Sequence, residues 1–180
     1  MNMPRLPLFC AVLLVGTTLS GCSLLSLAES CEGTEAAVTE LAQLPILDVR
    51  PPRATPVDGG EALGAHCVDD TAGAWLQAGR LYAYEGSRTE VLEYYGRQAP
   101  AAGWRPVDDL DLGPDGRRAV FCFESATQPS VTLGFPSPRQ LREFYGVDPG
   151  PGADGTGPRT WYILSAEATP DGSRMSCTGS

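Results

Sequence analysis

Several stretches of the chain are rich in apolar and aromatic residues whose side chains would point alternately to the two faces of a strand. The longest such stretch, 74–85, places Leu81 and Ala83 on one side and Tyr82 and Tyr84 on the other. Shorter stretches of the same kind predict further strands at 61–68, 104–107, 118–124, 131–135 and 161–168.

Three other stretches carry apolar residues at helical spacing. Residues 32–44 predict the first helix, which a proline ends. The other two helices are expected to begin at capping boxes, in which a serine caps the first turn and a Glu or Gln three residues later reaches back to it. These boxes run from Ser87 to Glu90 and from Ser137 to Gln140.

The third helix is expected to bury an apolar face made of Leu141, Phe144 and Tyr145. Clusters of Gly, Pro and Asp predict a turn at Asp69-Asp70 and loops at 51–60, 108–116 and 148–158.

The order of elements between residues 74 and 168 is strand, helix, three strands, helix, strand. This order predicts an α+β fold, with two helices and a four- or five-stranded, mostly antiparallel sheet in that region. We expect the helices to pack on one face of the sheet, within a single extracytoplasmic domain of residues 31–180.

Ahead of this domain, the chain begins with one charge, Arg5, and an apolar run at 6–15. The run leads into Leu19-Ser20-Gly21-Cys22, which resembles the lipobox of bacterial lipoproteins: an aliphatic residue and two small residues before a cysteine. The resemblance implies that residues 1–21 are a signal peptide and that Cys22 carries diacylglycerol. Residues 22–30 would then be a short lipidated tether on the extracytoplasmic face of the cell membrane.

Two alternatives to lipidation stay open. An ordinary secretory signal would need a small-x-small cleavage site, and none follows the apolar run cleanly. An uncleaved anchor needs roughly 20 apolar residues, a length that 6–28 approach, although polar Thr17, Thr18 and Ser20 interrupt them.

Net charge excludes one class of partner. The chain has 22 acidic residues against 13 basic ones, all of them Arg. Such a surface repels nucleic acid and anionic lipid, so no nucleic-acid partner is expected, and attachment to the membrane has to come from the lipid anchor. Two acyl chains on one cysteine suffice for stable attachment.

The lack of Lys and the load of Ala, Gly and Pro suggest a high-GC Gram-positive source. The segment that contains Leu81-Tyr82, Glu90-Val91-Leu92, Tyr95 and Ala102-Gly103-Trp104 is similar to a recurring stretch in uncharacterised exported lipoproteins of such bacteria. That group brings no known activity, and none is implied for this chain.

Four cysteines remain in the domain once Cys10 and Cys22 are set aside. An even number in an exported domain predicts two disulfides among Cys31, Cys67, Cys122 and Cys177. We expect Cys67 to pair with Cys122 and Cys31 with Cys177, since neighbouring strands would join the first pair and nearby domain ends the second. Two alternatives remain. One pairs Cys31 with Cys67 and Cys122 with Cys177, which closes shorter loops of chain. The other is the crossed arrangement, Cys31 with Cys122 and Cys67 with Cys177.

The sequence contains no recognisable catalytic constellation. His66 is the one histidine, so a hydrolytic triad or a metal-bound water would have to be built on it. Asp108, Asp109, Asp111 and Asp115 suggest calcium, but their spacing does not fit an EF-hand loop, and a solvated acidic turn is the simpler interpretation. The Tyr and Trp residues at strand and helix periodicity could line a pocket or a partner surface, but a place in the core is the favoured interpretation. No catalytic residue, metal ligand or cofactor is therefore assigned.

Three functions fit these observations. The first is a non-enzymatic surface lipoprotein that binds an unidentified protein or small ligand beside the membrane. The second is an envelope enzyme in which carboxylates, such as Glu90 with Glu93 or the 108–115 cluster, act in acid–base roles. The third is a structural component of the envelope. The absence of a histidine-centred constellation favours the first.

Overall fold

The structure is a computed structural model that describes residues 30–58, 63–71, 73–150 and 159–177. The predictions for the signal peptide, Cys22 and residues 22–29 of the tether lie outside these ranges, as does most of the predicted loop 148–158. Within the ranges, no helix is both long enough and apolar enough to cross a membrane.

The described residues form an α+β fold in which strands predominate. In chain order, the elements are α1 (Glu35–Ala42), a 3₁₀ helix (Pro45–Asp48), β1 (Ala54–Val57), β2 (His66–Asp70), β3 (Gly73–Glu85), α2 (Arg88–Ala101), β4 (Trp104–Pro106), β5 (Val120–Ser125), β6 (Ser130–Gly134), α3 (Pro138–Tyr145) and β7 (Arg159–Ala168).

All seven strands belong to one sheet, whose order is β1-β3-β7-β6-β5-β4 and whose described pairings are all antiparallel. Strand β2 also pairs with β3, along a stretch of the strand that β1 leaves free. The two helices and five strands from β3 to β7 confirm the elements predicted for this region. Helices α2 and α3 begin at the two predicted capping boxes.

The sequence pattern missed β1 and ended the strand that contains β2 too early. Residues 54–57 were expected in a turn-rich passage because Pro56 lies among them, but the strand they form is at the outer edge of β3, where a proline is tolerated. Asp69 and Asp70 were expected in a turn, yet they continue β2 opposite Ala74 and Gly73. In both places, pairing with the long strand β3 overrides local turn preference.

The main core lies on one face of the sheet, called here the first face. Strand β3 sends Leu76, Ala78, Tyr82 and Tyr84 to this face, and β7 sends Tyr162, Leu164, Ala166 and Ala168 to it. Helix α2 covers it with Val91, Leu92, Tyr95 and Ala99, and α1 and the 3₁₀ helix add Leu41, Ile46 and Leu47.

The opposite face, the second face, carries a smaller core beneath α3. Here Leu141 of α3 packs with Leu63, Leu81, Ala83 and Trp161. The expectation that all helices share one face is therefore wrong for α3. Leu81 and Ala83 alternate with Tyr82 and Tyr84, as predicted, and because both sets are apolar at this end of β3, both faces need cover.

Phe144 does not join the apolar face predicted for α3, since it is 62% exposed. Helix α3 has eight residues, and of these only Leu141 is fully buried, with Tyr145 and the following Val147 packed at the margin of the smaller core.

Two disulfides are present, with a pairing that differs from the expected one. Cys31 is bonded to Cys67 and Cys122 to Cys177, with Cα–Cα distances of 5.6 and 6.0 Å. The expected Cys67–Cys122 bond is wrong because β2 and β5 lie four strand spacings apart, roughly 19 Å. Their side chains also point to opposite faces, since Cys67 is level with Leu76 and Cys122 with Thr132.

Candidate functional site

Of the two α2 carboxylates suggested for acid–base chemistry, Glu90 is held by hydrogen bonds, whereas Glu93 is exposed. Glu90 accepts hydrogen bonds from the Ser87 amide and hydroxyl, at 2.7 and 3.2 Å, and from Arg53 at 3.0 Å. The bond from the Ser87 amide, with those from the Ser87 hydroxyl and Arg53, holds the pKa of Glu90 below its ordinary value. Glu93 is exposed on the helix. The geometry therefore assigns Glu90 to holding the helix start.

The acidic loop between β4 and β5 is organised by turns and one ion pair. Asp108 pairs with Arg118 at 2.7 Å, Asp111 accepts the amide of Gly113 at 2.7 Å, and Asp115 accepts the amide of Arg117 at 3.2 Å. No group of three or more His, Cys, Asp or Glu side chains that could hold a metal ion occurs in the described part of the chain.

His66 opens β2 opposite Gln77 of β3, so it lies on the second face. Its Nδ1 atom is 3.0 Å from the carbonyl oxygen of Gly64, a bond made within its own loop. This contact holds the ring against the backbone at the start of the strand.

Tyrosine hydroxyls tie the segment after α1 to the first face. Tyr82 donates to the carbonyl of Leu47 at 2.6 Å, and Tyr95 donates to that of Val49 at 2.7 Å. The Tyr95 and Tyr162 oxygens are 3.4 Å apart, and burial raises the pKa of all three tyrosines above the ordinary value. They hold the core together, as the sequence suggested for the aromatic residues.

The second face changes character along its strands. Beneath α3 it is apolar, but the other half is mainly polar or small apart from Val68 and Trp75 near the β2–β3 turn, and it presents Gly79 and Gln77 on β3, Ser165 and Glu167 on β7, and Ser130 and Thr132 on β6. Gln77 donates to the Ser165 hydroxyl, and Thr132 donates to the Ser165 carbonyl, both at 3.4 Å.

One row of this polar half crosses four strands. The register places His66 beside Gln77, Gln77 beside Glu167, and Glu167 beside Ser130. Neighbouring members of such a row lie about 4.8 Å apart along the sheet. The row therefore brings the lone histidine and a glutamate onto one surface, with an amide side chain between them.

Glu167 is the least compensated carboxylate of the described residues on this face. It is half-buried, and burial alone raises the pKa of its carboxyl group. No ion pair reaches it within the part of the chain that the structure describes. A desolvated carboxylate in this state favours a ligand that supplies a proton donor or a positive charge.

A pocket of about 140 Å³ opens at the end of this row, and we call it the tail pocket. On the sheet side it is lined by residues at the β5–β6 turn, and on the other by the C-terminal tail: Glu124, Ser125, Gln128, Ser130, Arg174, Met175 and Ser176. Ser130 belongs both to the polar row and to this pocket.

Three bonds hold the tail in place over β5. Cys177 is bonded to Cys122, its amide donates to Glu124 Oε1 at 3.0 Å, and Arg174 Nη1 donates to the Ser125 carbonyl at 2.7 Å. Arg174 is also bridged to Ala168, so the chain turns back immediately after β7. These contacts, the Cys122–Cys177 disulfide among them, hold the tail as one wall of the tail pocket.

The sequence pattern contained part of this site. Alternation along β7 was enough to place Ser165 and Glu167 on one side, away from Leu164 and Ala166. The register that brings Gln77 and Ser130 beside Glu167 is set by long-range pairing, and the position of the tail is set by the disulfide. Neither is encoded in local periodicity.

Comparisons with known proteins give no relative from which a role for these residues could be transferred. No family model matches the chain, and no curated protein and no solved structure matches it.

Proposed function

We propose that the chain is a lipoprotein anchored through Cys22 on the extracytoplasmic side of the cell membrane, where its domain binds a ligand without transforming it. The observation that carries the anchor is the Leu19-Ser20-Gly21-Cys22 box at the end of the apolar run. Two disulfides in a chain of this size support an oxidising compartment.

The polar half of the second face supports the binding role. It combines a half-buried carboxylate, amide and hydroxyl side chains, and a pocket with charged walls, all on one surface. An enzyme that acts through the carboxylates of α2 or of the acidic loop has less support. Glu90 is engaged in a helix cap, and Asp108, Asp111 and Asp115 form contacts that organise their own loop.

The position of Cys31 bears on how the domain would be held. Cys31 is fastened to Cys67, the second residue of β2, which lies level with Leu76 of β3, so the tether would leave the domain beside the half of β3 that pairs with β2. The eight residues 23–30 reach about 27 Å when fully extended. A domain held this way stays within one domain diameter of the membrane, and its net negative charge keeps it off anionic lipid.

The anchor is tested by replacing its cysteine in the full-length chain. We expect Cys22→Ala to release the protein from the membrane fraction or to leave an unprocessed precursor without bound lipid. Cys10→Ala is the matched control, because it removes a cysteine of the same segment outside the box, and it should be lipidated and retained like the parent protein. Retention of a cleaved, unlipidated Cys22→Ala protein at parental levels would contradict the lipid anchor.

A further inference from the structure

The tail pocket has charged groups of both signs on its walls that do not neutralise each other. The Arg174 guanidinium uses one nitrogen on the Ser125 carbonyl, and the Glu124 carboxylate uses one oxygen on the Cys177 amide. Within the described residues neither group forms an ion pair, although both line a space of about 140 Å³. Each retains free hydrogen-bonding positions.

The neighbouring polar row adds to the negative side of the site. Ser130 lines the pocket, and its partner across the strands is Glu167, whose carboxylate also has no ion pair in the described part of the chain. The pocket thus has an arginine on its tail wall, a glutamate on its β5 wall and a second glutamate beside its β6 wall.

We propose that the tail pocket binds a small zwitterion, a molecule with one carboxylate and one ammonium group such as a free α-amino acid. This proposal rests on the proposed binding role and names its ligand class. The ligand carboxylate pairs with the planar donors of Arg174, which suit a carboxylate better than a point charge does. The ligand ammonium group lies against Glu124, on the side of Glu167.

The remaining lining residues fit the same ligand class. Ser130, Ser176 and Gln128 offer hydroxyl and amide groups to the ligand's polar atoms, and Met175 offers an adaptable apolar surface to a short side chain. Pockets for drug-sized ligands begin at about 300 Å³, so this pocket is limited to smaller molecules.

The test uses the full-length protein purified from membranes in detergent, with each of the twenty common amino acids as a probe in a thermal-shift screen and calorimetry on any hit. Acetate and methylammonium, the two charged halves of the ligand, are run at the same concentration. We expect at least one amino acid to bind at least tenfold more tightly than either half. Absence of binding by all twenty, or equal binding of a half, overturns the proposal.

Substitutions then locate the site. Glu124→Gln and Arg174→Gln each retain a group that can satisfy the Cys177 amide or the Ser125 carbonyl, so the tail is expected to stay in place. Each should weaken binding tenfold or more. Glu93→Gln and Arg97→Gln, matched changes at exposed positions of α2, should leave the affinity within twofold of the parent value. Unchanged affinity in both pocket variants overturns the proposal.

Two further measurements on the same samples distinguish a misfolded variant from a folded variant that has lost ligand binding. Non-reducing intact mass shows whether each variant has kept two disulfides, and urea unfolding shows whether it has kept the parental fold. A misfolded variant is replaced by Ser130→Ala, which removes a pocket hydroxyl and should weaken binding at least threefold; unchanged affinity overturns the proposal. Lipid on Cys22 is read from the same spectrum, so loss of the anchor is distinguishable from loss of the ligand.

Discussion

At the scale of single residues, Glu167 is the clearest conflict between burial and charge. Its neighbours in the polar row, Gln77 on β3 and Ser130 on β6, carry no charge that could stabilise an ionised carboxylate. A position of this kind costs stability to the domain when the carboxylate is ionised.

This conflict predicts the effect of Glu167→Gln. Burial raises the pKa of Glu167 in the folded state, so the native protein holds this proton more tightly than the unfolded chain does. The penalty of ionisation is therefore absent below the ordinary pKa of glutamate and develops as pH rises through the folded-state pKa. We expect the variant to have a higher Tm than the parent at pH 7 and an equal Tm at acidic pH.

Thermal unfolding at a series of pH values measures this difference. Glu93→Gln, an exposed change on α2, is the control for loss of a negative charge from an acidic protein. A Tm difference for Glu167→Gln that is independent of pH, or that grows towards acid, would contradict the burial argument.

The hydroxyl of Ser87 shows what a single side chain does for an element. It accepts the Glu90 amide at 3.2 Å while the Glu90 carboxylate accepts the Ser87 amide, which together form the box that starts α2. Because α2 supplies four buried residues to the main core, its start is coupled to the fold. Ser87→Ala should lower the free energy of unfolding by about 1 kcal/mol.

Urea denaturation of Ser87→Ala checks this value, with Thr127→Ala as an exposed control outside any helix. The same change at Ser137, which starts the eight-residue α3 on the second face, should have a comparable effect because that box has the same geometry. An unchanged midpoint for Ser87→Ala would mean that the box contributes nothing to α2.

At the scale of elements, the two disulfides connect segments that the sheet alone leaves loose. Cys31–Cys67 fastens the residues before α1 to β2, and Cys122–Cys177 fastens the tail to β5. Each joins a terminal segment to a strand on the face where that segment already lies. The expected Cys31–Cys177 disulfide would instead have to join the segment before α1 to the C-terminal tail, and these two segments lie on opposite faces of the sheet.

Peptide mapping without reduction checks this arrangement directly. We expect one cross-linked peptide that contains Cys31 and Cys67, and another that contains Cys122 and Cys177. A peptide that joins Cys67 to Cys122 would be incompatible with the sheet order, because four strand spacings separate these residues.

The elements that the sequence identified are those whose signals lie within the element itself. The long strands β3 and β7, rich in apolar and aromatic residues, and the helices with capping boxes, α2 and α3, were identified because their signals are local. Strand β1 was missed because its edge pairing with β3 is not visible in its own composition, which includes Pro56. The side on which α3 packs was missed because β3 is apolar on both faces near Leu81 and Tyr82.

At the scale of the whole molecule, the sheet separates two roles. The first face is filled by α1, α2 and the tyrosine core, and it holds the domain together. The second face is divided between the small core under α3 and the polar half that leads to the tail pocket. Of the candidate site, the cysteines and the polar positions of β7 could be anticipated. The pocket could not, because one of its walls is the tail, which long-range contacts and the Cys122–Cys177 disulfide hold against β5.

Intact mass spectrometry of the protein in the membrane fraction, expressed from the full-length sequence, tests whether a disulfide-bonded domain is held to the membrane by lipid on Cys22. We expect a chain that begins at Cys22, carries diacylglycerol and gains four mass units on reduction, two for each disulfide. A chain that retains residues 1–21, or one that begins at another residue without lipid, would contradict it.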